Sequence, residues 1–241
     1  GLADNRDPLT RLISMWEMIC LRLFLDRLEQ EGYRRSDAVL VNYDSVRRIL
    51  EASWGACSRV RIIPYSCETA FLPEQASNGR PAIPEALARL ADPGAPLVVS
   101  VARHDPRKGL DVLLRALADL GRRRIRFRAC LVGGGPMVQA DRDLAASLGL
   151  GDRVAVTGYV EDVRPYIRAA DIFALPSLEE GSGSLSMLEA MQHGKAVVAS
   201  GVDGIPEDIT DRESGLLVPP GDEAALPDRH SELIADPALR A

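Results

Sequence analysis

Asp171-Ile-Phe-Ala-Leu-Pro-Ser-Leu-Glu-Glu-Gly-Ser-Gly-Ser-Leu-Ser-Met-Leu-Glu-Ala-Met-Gln192 is the stretch whose reading decides the fold. Its opening, Asp171 to Leu175, is a short apolar run that reads as a buried strand. Leu185 to Gln192 carries the spacing of an amphipathic helix. Between them lies a Gly/Ser-rich turn flanked by acidic residues. Small residues at a strand-to-helix turn let backbone N–H groups approach a ligand, and a helix N-terminus favours negative charge. Glu180 and Glu189 bracket the turn with carboxylates able to hold hydroxyl groups. A sugar attached to a diphosphate presents both kinds of group. A plain Gly-rich connection with two surface glutamates also fits these residues.

The same alternation of strand and helix continues on either side. Strands are predicted at 97–101, 126–132, 153–157, 171–175, 196–200 and 214–218. Helices are predicted at 109–120, 136–148, 162–169, 185–193, 204–210 and 222–235. Continuously apolar strands such as Leu97-Val-Val-Ser-Val101 and Ala196-Val-Val-Ala199 suit a parallel sheet covered on both faces. The pattern predicts an α/β domain over 97–241, a doubly wound parallel sheet with its ligand crevice at the carboxyl ends of the strands.

Upstream, Pro73, Pro81, Pro84, Pro93 and Pro96, with Asn78-Gly79 and Pro93-Gly94, mark residues 73–96 as a linker with one short helix, Glu85 to Leu90. Residues 1–72 read as helix (9–31), strand (37–42), helix (45–53) and strand (59–64), the incomplete tail of a second parallel-sheet domain. The apolar stripe of the first helix reads as a core face. Its polar face carries both charge signs, whereas membrane-surface helices are Lys/Arg-rich.

Composition bounds the function. A hydrophobic share of 46% and a charged share of 27% are ordinary for a soluble globular chain of 241 residues. The net charge of −6 argues against broad nucleic-acid binding. Cys20, Cys57, Cys67 and Cys130 lack C-x-x-C spacing, which points to reduced thiols in the cytosol and gives little support to zinc or disulfides. No apolar run approaches the roughly 18 residues of a membrane span, and no secretory signal is visible. The chain opens at Gly1 within polar sequence, so it is expected to be a piece of something longer.

Each further motif lies at a strand end. After the first strand of the larger domain, Arg103 offers a planar fork of donors to phosphate oxygens, and Lys108 adds a charge near a helix start. A cation there opposes the helix dipole, which suggests an anion between them; a solvated charged loop is the alternative. Gly133-Gly-Gly-Pro136 permits a tight turn or close ligand approach, with Pro136 in the first helical turn. Thr157-Gly-Tyr-Val160 is a simple turn or a set of backbone groups facing a nucleobase. His104, His193 and His230 are too scattered for a metal site, and His193 reads as a dipole partner at a helix C-terminus. Neither a Gly-x-Ser-x-Gly elbow nor a P-loop sequence occurs.

In order, Arg103-x4-Lys108-Gly, Val132-Gly-Gly-Gly-Pro136, Thr157-Gly-Tyr-Val160, Pro176-Ser-x-x-Glu180-Gly, Leu188-Glu-Ala-Met191, Val197-Val-Ala-Ser200, Gly204-Ile-Pro-Glu207 and Ser214-Gly-Leu-Leu-Val-Pro-Pro-Gly-Asp222 occur in one register. This series resembles the C-terminal, donor-binding domain of retaining glycosyltransferases of the GT-B fold, the family-four, group 1 type with an E-x7-E signature. The resemblance covers about residues 97–222, and 37–72 look like the last βαβ of the family's N-terminal domain.

The resemblance implies a Rossmann-like, GT-B donor half that moves a sugar from a nucleotide diphosphate, with retention. Arg103 and Lys108 would neutralise the diphosphate in place of a metal, so no metal or cofactor is expected. The Ser182, Gly183 and Ser184 amides would hold the leaving phosphate. Glu180 would bind the sugar hydroxyls near the reacting carbon as the catalytic residue, and Glu189 the ribose hydroxyls. Gly134, Tyr159 and Val160 would complete the donor site around the base. Partners would be a nucleotide sugar and a glycan, lipid or small aglycone acceptor, with no nucleic acid. The location would be cytoplasmic, with peripheral contact at the inner membrane face open to the missing N-terminal half. Without that half, which carries the family's acceptor site, the chain is expected not to transfer sugar by itself. A non-catalytic nucleotide-sugar-binding module and a GT-B-fold epimerase or phosphorylase are the alternatives. One departure bears on Glu180: eight residues, not seven, separate it from Glu189.

Overall fold

The computed structural model describes residues 24–66 and 84–240. The chain divides into two compact units, Gly1–Val41 with Arg47–Ile63, and Asn42–Val46 with Pro64–Ala241. In the smaller unit, helix α1 covers residues 24–35, four beyond the predicted end; the predicted portion from 9 to 23 lies outside the described residues. Strand β1 (Val39–Val41) pairs in parallel with β2 (Val60–Ile62), and helix α2 (Asp44–Trp54) links them in sequence. Tyr33 donates to the Gly55 carbonyl at 3.0 Å and its ring lies 5.5 Å from that of Trp54.

The larger unit alternates as expected. It contains α3 (Glu85–Ala88), β3 (Leu97–Val101), a single 3-10 turn (Pro106–Lys108), α4 (Leu110–Arg122), β4 (Arg128–Val132) and α5 (Val138–Ser147). Then come β5 (Val154–Gly158), α6 (Arg164–Ala169), β6 (Ile172–Leu175) and α7 (Leu185–Gln192). The chain ends with β7 (Ala196–Ser200), α8 (Ile205–Asp208), β8 (Leu216–Val218), α9 (Ala225–Ala235) and a 3-10 turn (Pro237–Arg240). Six strands form one parallel sheet in the order β5-β4-β3-β6-β7-β8. The chain winds outward from β3 to one edge, returns to β6, and winds to the other. That reversal makes the gap between β3 and β6 a switch point, where the loops beyond the strands part and leave a crevice.

Strand alternation assigns the two faces. Val98, Ala129, Leu131, Ile172, Ala174 and Val198 pack with α4, α5 and α9. Phe173, Leu175, Val197 and Ala199 pack with α7 and α8, and Leu97, Val99, Cys130 and Val132 with α3 and α6. Because both faces are covered, the strands need apolar residues at most positions and not only at alternate ones. Burial pushes the Cys130 thiol up to about 12, which makes it an inert core group. Helix α4 shows why the pattern holds: Leu110, Leu113, Leu114, Leu117 and Leu120 recur at helical spacing and are all buried. Truncating a fully buried one to Ala would cost about 2–5 kcal/mol.

Element ends differ from the sequence reading by local geometry. Helix α5 begins at Val138, so Pro136 sits in the turn before it and not in its first turn. Gly135, at φ 151°, takes a positive-φ path that a right-handed helix does not allow, and the Met137 N–H turns aside to the His104 carbonyl at 3.1 Å.

Candidate functional site

Three loops meet at the switch point, each locked to its neighbour through backbone. After β3, Ala102 donates to Val132 and His104 to Gly134, at 3.0 and 2.9 Å. Gly133 and Gly135 lie at φ 139° and 151°, and a Cβ on either would collide with the Ala102 or His104 carbonyl. Farther along, Asp105 caps the Pro106–Lys108 turn by accepting from the Arg107 N–H. The Arg107 side chain also donates to it, which holds this carboxyl below its ordinary range. The Leu178 N–H donates to the Arg107 carbonyl at 2.7 Å, joining the β3 loop to the β6 loop. Gly109, at φ 59°, presses on the Pro176 carbonyl, where no Cβ would fit.

Two adjoining cavities result. One, of about 330 Å³, is lined by Arg103, Lys108, Glu180, Ser182, Gly183 and Ser184, together with Tyr65 and Ser186. The other, of about 710 Å³, is lined by Arg103, Gly134, Tyr159 and Val160 beside Gly133 and Pro136. Arg103 lines both and forms no ion pair among the described residues. Tyr159 is 82% exposed, so its ring is open to stack on a planar ligand. The structure thus gathers nine of the ten residues chosen from sequence. Glu189 stands apart: half-buried in the second turn of α7, one turn on from Leu185 at the rim, it lines neither cavity.

Glu180 and Lys108 face each other. The Glu180 side chain is 4% exposed, and Lys108 Nζ lies 2.8 Å from its Oε2 while Ser177 Oγ donates to Oε1 at 2.5 Å. The anion expected beside Lys108 is therefore already present in the protein. The turn behind Glu180 is held by Asp203, whose Oδ2 accepts the N–H groups of Glu180 and Gly181 at 2.7 Å each. Ser184 caps α7 by accepting from Met187 N–H, and Ser186 Oγ donates to the Val101 carbonyl, fixing the helix start against β3. The N–H groups of Ser182, Gly183 and Ser184 donate to no acceptor among the described residues. Open amides, a helix N-terminus and an unpaired guanidinium make this cavity electropositive on one wall and acidic on the other.

Sequence reasoning missed several side chains. The Tyr65 hydroxyl lies 3.2 Å from Ser182 Oγ, and Tyr43 packs on Gly183 and Gly204 while donating to Asp208 at 2.6 Å. His104, placed by sequence in a basic loop, is fully buried, with Nδ1 2.6 Å from Asp141 Oδ2. His193 does follow α7 as its C-cap, and burial, with the charges of Arg168 and Lys195, pulls its pKa down and so disfavours the charged form. A further cavity of about 520 Å³ lies at the opposite ends of β7 and β8, lined by Lys195, Arg212, Glu232 and Arg240. Its cations are engaged: Lys195 with the Arg168 carbonyl, Arg212 with Glu232, and Arg240 with the Leu233 and Ile234 carbonyls. It also lies away from the crevice. Among the described residues there is no cluster of metal-ligating side chains, and no helix is long and apolar enough to cross a membrane.

Comparison with known proteins bears on the fold and the family. The GDP-mannose-dependent alpha-(1-6)-phosphatidylinositol monomannoside mannosyltransferase of Mycolicibacterium smegmatis is 31% identical over 221 residues, 86% of this chain and 56% of the relative. The alpha-D-kanosaminyltransferase of Streptomyces kanamyceticus is 29% identical over 88% of this chain and 55% of its own length. The chain therefore spans about half the length of these curated relatives. Among solved structures, sucrose-phosphate synthase from Thermosynechococcus elongatus superposes with a TM-score of 0.72 at 30% identity, covering 89% of this chain and 53% of that one. HepE of Anabaena, solved with UDP and glucose, gives 0.74 at 22% identity over 89% of this chain and 58% of its own, a likeness of fold. Residues 95–236 match the family model described as Glycosyl transferases group 1. Apart from Tyr65, the residues that line the crevice lie inside that span, and the chain belongs to the group 1 glycosyl transferase family.

Proposed function

We propose that this chain is the donor-binding half of a retaining glycosyltransferase, which moves a sugar from a nucleoside diphosphate to a glycan, lipid or small aglycone. The observation that carries the reading is the convergence of unpaired Arg103, the open Ser182–Ser184 amides and the buried Glu180 carboxylate on one cavity. Arg103 and the amides meet the diphosphate, and Lys108 lies close enough to share its charge between Glu180 and a phosphate oxygen. Donors aimed at the departing diphosphate stabilise the charge that develops as the glycosyl bond breaks. Glu180 accepts from sugar hydroxyls and Glu189 from the ribose. Gly134, Tyr159 and Val160 surround the base in the adjoining cavity.

In this reading the positive groups replace a divalent metal, and residues 1–72 are the tail of the acceptor-side domain, joined by the 73–96 linker. The protein works in the cytoplasm, at the inner membrane face where the acceptor is a lipid. Transfer needs donor and acceptor held with their reacting atoms aligned, so this chain binds donor without transferring it. A thermal-shift panel of nucleoside diphosphates and their sugars, in chelator and in magnesium, tests the reading, because a specific binder stabilises the native state by mass action. Stabilisation by one diphosphate series in chelator is expected. No stabilisation by any member overturns the donor site, and rescue only by magnesium overturns metal independence. Sugar transfer by this chain alone overturns its assignment as a donor half.

A further inference from the structure

We infer that Asp203 is a positioning residue that sets the aim of Glu180 at the donor sugar, so that it governs affinity for the sugar and not for the diphosphate. The inference rests on the donor-site reading above. Asp203 occupies the loop between β7 and α8, outside both cavities, so it acts through another group. Its backbone is left-handed, at φ 51°, a region that L residues other than Asn and Asp rarely enter. That geometry turns one carboxylate oxygen onto two successive amides, Glu180 N–H and Gly181 N–H, at 2.7 Å each. Next in line, the Gly204 N–H donates to the Ser182 carbonyl at 2.6 Å. Three hydrogen bonds thus fasten residues 180–182 to residues 203–204.

The turn needs such a clasp. Eight residues separate Glu180 from Glu189, and Gly181 among them sits at φ 76° with nothing near its missing Cβ. Nothing in its own sequence stiffens it. The Asp203 carboxylate also draws off just the amides on the Glu180 side and leaves those of Ser182 to Ser184 for a ligand. With the backbone fixed there, the Glu180 side chain points to Lys108 and Ser177.

Three substitutions separate the clasp from the backbone strain. Asp203→Gly keeps the left-handed backbone and removes the acceptor. Asp203→Asn keeps both the backbone and an oxygen able to accept. Asp203→Ala strains the backbone and removes the acceptor. The readout is the ratio of affinities for a nucleotide sugar and its diphosphate, measured by calorimetry on the full chain. The probes are GDP-mannose with GDP and UDP-glucose with UDP, using whichever pair the unaltered chain binds more tightly. Asp203→Gly is expected to lower the sugar-to-diphosphate ratio about tenfold with diphosphate affinity within about threefold, and Asp203→Asn to restore most of it. Amide exchange should quicken at Glu180 and Gly181 in Asp203→Gly but not in Asp203→Asn. An unchanged ratio in Asp203→Gly, with diphosphate binding intact, overturns the inference and leaves the donor site standing. A parallel loss of both ligands makes Asp203 merely structural and overturns it too. Failure of the unaltered chain to bind any of the four probes overturns the donor site itself, and this inference with it.

Discussion

The Lys108 ammonium stands 2.8 Å from the Glu180 carboxylate, a pairing of the β3 loop with the β6 loop inside the crevice. Lys108 is 21% exposed and Glu180 4%, so this is a nearly dry ion pair, and removing one partner leaves the other charge stranded. Lys108→Ala should lower unfolding stability by roughly 3 kcal/mol, and Lys108→Ala with Glu180→Ala should recover part of that loss. Denaturant titration of the two single variants and the double variant measures the coupling. Additive losses would show that the two charges do not depend on each other.

Arg103 is different, because it forms no ion pair among the described residues. Arg103→Ala should leave thermal stability unchanged while weakening a nucleoside diphosphate roughly tenfold or more, with little effect on the matching nucleoside. Calorimetry with both ligands decides the matter. An equal loss for nucleoside and diphosphate would remove Arg103 from the phosphate site.

Glu189 lies one helical turn beyond the cavity rim, where the ribose is proposed to reach it. Glu189→Gln should weaken a ribonucleoside diphosphate several-fold, since one strong acceptor is lost, and should affect the 2′-deoxy form less. Should both sugars respond alike, Glu189 is a residue of the helix surface only.

His230 gives a pH signature unrelated to the crevice. It is fully buried in α9, with Nδ1 2.8 Å from the Leu226 carbonyl, and burial drops its pKa from 6.5 to about 4. Between those values the unfolded chain binds more protons than the native one. Its contribution is therefore complete above about pH 6.5, declines as the pH falls, and is gone below about 4, a loss on the order of 3 kcal/mol. Replacing His230 with Phe should flatten the stability profile over that window relative to the unaltered chain, as read by urea unfolding at a series of pH values. A profile of unaltered slope would assign the acid sensitivity to other groups.

The sheet was legible because a strand covered on both faces must be largely apolar, and Leu97–Val101, Ile172–Leu175 and Ala196–Ser200 announce that by composition alone. The loops that line the crevice were legible because each follows such a strand. What escaped notice depends on contacts between distant segments. His104 sits among Arg103, Asp105, Arg107 and Lys108, a context that reads as solvated, yet its ring turns inward to Asp141 on α5. Asp203 looks like an ordinary Asp-Gly turn residue, and only its left-handed backbone directs the carboxylate to Glu180 and Gly181. Lys108 stands out in the sequence as a cation at odds with a helix start, and the carboxylate it pairs with lies in another loop. Pattern reveals what each element needs from its own surroundings, whereas partner choice across loops is a property of the closed chain.

The contact between Gly109 and the Pro176 carbonyl makes two loop lengths a single heritable trait. A residue gained or lost in the β3 loop displaces the β6 loop as well, so such a change survives only when answered by a second. Libraries that vary both loops together should recover functional sequences in pairs, with few passing on either change alone.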